Sequence, residues 1–171
     1  VLEFTGEPCS MGPGGIVTEH DVKEGAWYLD CGRMPICITV EAGQADLMLS
    51  GYLGIDHETK GLAVYRLLDA DITFHRHLPV PGETVRYSIR INNFFLHNGT
   101  WFFDFEYDGT INGTPLLTMR NGRAGFFTQE ELDAGQGLAK TKLNTAPMPG
   151  TRDAAWTDIV TMKKETYSDE Q

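Results

Sequence analysis

The stretch Ile36 to Gly54, ICITVEAGQADLMLSGYLG, is the longest apolar segment of the chain, and it lies between segments with the alternation of β-strands. Its length, Pro35 just before it and Gly54 at its end favour a helix. Such a helix runs roughly 28 Å at about 1.5 Å per residue, the width of a small domain. Apolar residues fall on most of its sides, which predicts burial all round. The β-branched opening (Ile36, Ile38, Thr39, Val40) suits a strand as well.

The flanking segments supply a sheet. Ile16 to Val22 alternates apolar and polar residues and reads as a first strand. After a polar turn at Asp56 to Gly61, strands are expected at Ala63–His75, Thr84–Leu96, Trp101–Thr110 and Leu116–Thr128. In the second of these, Val85, Tyr87, Ile89 and Ile91 alternate with Arg86, Ser88 and Arg90. Asn98-Gly99 and Asn112-Gly113 are hairpin signals. Thr128 and Glu131 form a capping box that opens a short helix ending by Gly135. Long antiparallel strands around one central helix make an α+β domain. The expected limits are a Gly/Pro-rich linker over 1–15, the domain over 16–135, and a linker-like tail over 136–171 with a weak helical pattern at 154–166.

Charge narrows the partners. With 24 acidic against 14 basic side chains the net charge is −10, which argues against nucleic acid. Cys9, Cys31 and Cys37 show no CxxC or Cys/His ligand spacing, so reduced thiols are expected, with no metal and no cofactor. No apolar run approaches the ~20 residues of a membrane span. The first fifteen residues lack the apolar core of a signal peptide, so a cytoplasmic location is expected.

Polar residues inside the central helix demand an account, because an unpaired buried polar group costs several kcal/mol. Thr39, Gly43, Asp46, Ser50 and Gly54 fall on one stripe, which suits close packing and local hydrogen bonds. Glu41 points the other way, followed by Gln44 and Met48. A partly buried carboxylate there is a plausible acid or base. A carboxylate reaching solvent, or an arginine across an interface, is the structural alternative.

Trp27–Tyr28–Leu29, Met34–Pro35, Cys37, a helix with an early carboxylate, and Tyr52–Leu53–Gly54 occur here in that order. Together they resemble the bacterial β-hydroxyacyl-ACP dehydratase/isomerase family, whose fold is the hotdog, an antiparallel sheet wrapped around a long helix. The segments VEAGQADL, GYLGID, VYRLLDADITFH, GETVRY and AGFFT resemble more closely the dehydratase region of polyunsaturated fatty acid synthases. The resemblance runs from about Gly15 to Phe127 and implies a domain cut from a larger lipid- or polyketide-making enzyme. It also implies an acyl carrier protein bearing a 3-hydroxyacyl thioester as partner, and an adjacent hotdog domain or a second copy completing a dimer. On this basis Glu41 and Gln44 are the candidate catalytic residues. Pro35, Ile36, Cys37 and Met48 are the candidate substrate-binding residues.

The chain departs from the family where the chemistry lies. The loop between Trp27 and Met34 is several residues shorter than in the single-domain enzymes and lacks their catalytic histidine. Ile36 replaces the glycine whose N–H would hold the thioester oxygen. Anchored on Met34–Pro35, Glu41 takes the place of the family's aspartate; anchored on Tyr52–Leu53–Gly54, Gly43 does. His20, His57, His75, His77 and His97 all lie away from that loop, and none is expected to replace the missing base. The implied activity is a half-site for dehydration, inactive alone. The alternatives are a non-catalytic pseudo-dehydratase and a hotdog thioesterase in which Glu41, aided by Gln44, attacks the thioester or directs water. Arg86, Arg90, Arg120 and Arg123 offer a local basic patch for an acidic carrier, but solvated strand edges account for them better.

Overall fold

A computed structural model describes residues 1–135 and Ala146. Six strands form one antiparallel sheet in the order β1-β2-β4-β5-β6-β3. They are β1 (Glu3–Thr5), β2 (Gly14–Asp21), β3 (Val64–Phe74), β4 (Thr84–His97), β5 (Thr100–Ile111) and β6 (Thr114–Phe127). Between β2 and β3 lie three helical pieces, α1 (Ile36–Glu41), α2 (Asp46–Leu53) and α3 (Ile55–Thr59), and α4 (Gln129–Asp133) follows β6. This is the α+β hotdog architecture, and its two edge strands are β1 and β3.

Alternation builds the sheet and its core. Val85, Tyr87, Ile89 and Ile91 of β4 face inward with Phe103, Phe105 and Tyr107 of β5 and Leu117 and Met119 of β6. They close over Leu49 and Leu53 of α2, which packs against β2 and β4. Both hairpins turn where expected. Asn98-Gly99 and Asn112-Gly113 each hold two successive positive-φ residues (51° and 87°, 50° and 76°), the geometry that matches strand twist in a tight hairpin. The capping box also forms: the Thr128 hydroxyl accepts from the Glu131 N–H, and the Glu131 carboxylate accepts from the Thr128 N–H.

Three expectations need correction. Residues 1–15 do not behave as linker throughout, because Glu3–Thr5 pairs with Gly15–Val17 and extends the sheet by one strand. The polar segment after Gly54 forms α3 rather than a plain turn. The central helix is not continuous, and it is exposed along one side. The N–H groups of Gly43 and Gln44 bond back three residues, to Val40 and Glu41, instead of four. The cause lies in the sheet. The Tyr87 hydroxyl donates to the Thr39 carbonyl at 2.7 Å, and the Tyr107 hydroxyl donates to the Val40 carbonyl at 3.0 Å. Two carbonyls that would carry the next helical turn are thus held by buried phenols, and the chain bends at residues 42–45.

Tyr87→Phe therefore leaves the buried Thr39 carbonyl without its partner and should cost about 1–3 kcal/mol. Urea unfolding of the 171-residue chain checks this; an unchanged midpoint would show that the phenol does not hold the bend. The tail over 136–171, including the helical pattern expected at 154–166, lies outside the described residues apart from Ala146.

Candidate functional site

The bend gives α1 and α2 two unlike faces. The stripe predicted from spacing turns inward: Thr39, Asp46 and Ser50 are wholly buried, and Gly43 and Gly54 are buried with them. Thr39 donates to the Pro35 carbonyl (2.9 Å) and Ser50 to the Leu47 carbonyl (2.8 Å), so both hydroxyls are satisfied within their own helices. Gly54 ends α2 in the left-handed region at φ 115°, and an added Cβ would stand 2.8 Å from the backbone of Cys9.

The outward face carries most of the candidate residues. Pro35 caps α1 with an extended backbone, and Ile36 and Cys37 follow it, both exposed. Glu41 is the last residue of α1 and is exposed on this chain. Leu47 and Met48 stand out from α2, and Ile36, Leu47 and Met48 retain 58%, 48% and 55% of their surface. Gln44 sits in the bend between the faces, half-buried, and its side-chain N–H₂ is buried without a partner among the described residues.

The burial expected of Glu41 falls on Asp46 instead. Asp46 opens α2 and has no exposed surface. Burial pushes its carboxyl up from 3.8 to about 6, and the negative charge of Glu41 adds to the shift. Hydrogen bonds from the Tyr65 hydroxyl and the backbone pull the other way. Tyr65, near the start of edge strand β3, donates to Asp46 Oδ2 at 2.8 Å, while Oδ1 has no partner among the described residues. Helical spacing puts Asp46 on the packing stripe. The signal in the sequence is its charge: an ionisable group on a buried stripe must neutralise or find a partner.

The histidines lie elsewhere. His20 of β2 is hydrogen-bonded to the Tyr28 hydroxyl at 2.8 Å, and His75 to Thr118 at 3.2 Å. His97 lies at the tip of the β4–β5 hairpin, and His57 on α3. The four arginines considered for a basic patch are all paired. Arg86 meets Glu19, Arg90 and Arg120 share Glu106 and Asp108, and Arg123 meets Asp104. Such half-exposed pairs contribute roughly 0–1 kcal/mol each. They leave little free positive charge on that face for an acidic carrier.

No family model matches the chain. It is 44% identical over 133 residues to one of the subunits that make up the polyunsaturated fatty acid synthase of Thraustochytrium sp., a match covering 77% of this chain and 9% of that protein. This chain is a hotdog domain related to that synthase. The domain thus corresponds to a small part of its much longer relative. Among solved structures, it is similar to a probable thioesterase from Bartonella henselae (16% identity, 68% of this chain and 92% of that one, TM-score 0.48). A dehydratase heterocomplex from Xenorhabdus doucetiae is similar at 18% identity, covering 70% and 80%, with TM-score 0.48. The hotdog assignment rests on the strand order, with α1 and α2 between β2 and β3. No helix among the described residues is long and apolar enough to cross a membrane.

Proposed function

We propose that this hotdog domain supplies the carboxylate half of a composite dehydratase site in a fatty acid or polyketide synthase. The substrate is a 3-hydroxyacyl thioester carried by an acyl carrier protein. Dehydration removes the proton beside the carbonyl, protonates the departing hydroxyl as water, and leaves a double bond between those two carbons. Glu41 is the carboxylate, and an adjacent hotdog domain, or a second copy, supplies the histidine that this chain's loop lacks. Pro35, Ile36 and Cys37 at the start of α1 and Met48 on α2 form the acyl-contacting surface, with Gln44 beside Glu41.

The observation that carries this reading is the outward face of α1 and α2. Large apolar side chains at Ile36, Leu47 and Met48 are left in water on the same two helices that carry the exposed Glu41 carboxylate. A face of that kind suits burial against a neighbour. The edge strand β3, with Leu67, Leu68 and Ile72 exposed, offers a second surface for a neighbour.

Glu41→Gln in the complete synthase should lower dehydration at least about 100-fold with the protein level unchanged, the usual scale for losing a positioned acid or base. Undiminished dehydration would remove Glu41 from the chemistry. It would support the second reading, a non-catalytic domain that only completes its neighbour's fold. The absence of a histidine from residues 22–35 favours that alternative.

A further inference from the structure

We propose that Asp46 is a positioning residue of the Glu41 site, clamping the bend between α1 and α2 to the sheet's edge strand through the Tyr65 hydroxyl. The inference rests on the reading of Glu41 given above. Asp46 is the first residue after the bend, and Tyr65 is the second residue of β3, so their 2.8 Å hydrogen bond joins the two elements that border the outward face. Tyr65 is itself fixed by the core, with Phe103 and Phe126 at ring distances of 6.2 and 5.9 Å. Glu41 stands five positions before Asp46, on the other side of the bend.

The clamp responds to protons because nothing around Asp46 among the described residues neutralises it. The ionisable groups acting on it or on its partner are Glu41 from α1, Tyr65 from β3 and Tyr107 from β5, and none is a cation. Asp46 Oδ1 is buried without a partner among the described residues, a position that a neutral carboxyl tolerates far better than a carboxylate. The protonated clamp is therefore the relaxed one. Ionisation strengthens the bond donated by Tyr65 but places a second, unsolvated negative charge near Glu41 inside the fold, so the junction with β3 shifts as that charge appears.

NMR of side-chain carboxyl carbons and backbone amides in the 171-residue chain, titrated between about pH 4 and 8, tests the clamp. The Asp46 carboxyl should titrate near pH 6. The β3 amides around Tyr65 and the carboxyl carbon of Glu41 should each show an inflection at that same pH. Tyr65→Phe should abolish the β3 response, and Asp46→Asn should abolish both. An Asp46 midpoint in the ordinary carboxylate range overturns the proposal, as does a β3 that stays silent through the Asp46 transition. In the complete synthase, Asp46→Asn should remove the Asp46-linked fall in dehydration on the alkaline side of pH 6, and a profile identical to the parent's also overturns the proposal. The two failures are distinguishable. Full activity of Glu41→Gln removes the dehydratase assignment and the positioning role with it, an intact β3 response then leaving the Asp46–Tyr65 clamp as a structural link, and a silent β3 with an inactive Glu41→Gln sinks the clamp alone.

Discussion

Gly43→Ala should destabilise the domain by about 3 kcal/mol, a large share of the ~5–15 kcal/mol that holds a typical domain together. A Cβ at this position would lie 2.7 Å from Tyr87 Cδ1 and 2.8 and 2.9 Å from Tyr107 Cε2 and Cζ. Real contacts of this kind are longer, so something must move. Neither ring can retreat freely: both are fully buried, and their hydroxyls hold the Thr39 and Val40 carbonyls. Pushing the rings back adds the loss of the Tyr87 bond, about 1–3 kcal/mol if the Thr39 carbonyl stays unpaired, to the cost of overpacking, while the Val40 carbonyl still accepts from the Gly43 N–H. Residues 42–45 lie outside both helices, so alanine's helix propensity offsets little of this. Urea denaturation would report a lower midpoint with an unchanged slope. A loss below about 1 kcal/mol would show that the bend repacks easily and that the tyrosines do not determine it.

Asp46→Asn should make the domain more stable at pH 8, by up to about 3 kcal/mol, and leave it nearly unchanged near pH 4. The sign follows from proton binding. In the unfolded chain this carboxyl ionises at the ordinary 3.8, and in the folded chain at about 6. Between those values the folded state holds the extra proton, so stability from this group is fully present below about pH 4. It falls as pH rises and is lost by about pH 7. The shift of about two pH units corresponds to roughly 3 kcal/mol. Asparagine has nearly the same shape, can still accept from Tyr65, and carries no charge to bury. Thermal unfolding across this range should therefore show a downward slope for the parent that the variant lacks. Parallel curves for the two proteins would mean that Asp46 is hydrated enough to ionise normally.

Much of this architecture could be read from local patterns. Strict alternation at Val85 to Ile91 placed β4 and its inward face, two Asn-Gly pairs placed the hairpins, and Thr128 with Glu131 placed the α4 cap. Each is a short-range rule in which a side chain or a φ preference decides its own neighbourhood. The inward stripe of Thr39, Asp46 and Ser50 was legible for the same reason, since helical spacing survives the bend well enough to keep one face together.

Other features required contacts between residues far apart in the chain. The bend at residues 42–45 comes from two phenols 48 and 67 positions away from the carbonyls they hold, and no helical propensity records that. The pairing of Glu3–Thr5 with β2 was hidden because a three-residue strand is too short to show alternation. Burial passed from Glu41 to Asp46 because, within this chain, only one face of α1 and α2 has a sheet to pack against. Sequence alone thus determined the kind of fold and the segment, Ile36 to Gly54, on which both carboxylates lie. The tertiary structure alone decided which carboxyl is withdrawn from water and which is left facing out, because desolvation depends on what the sheet covers.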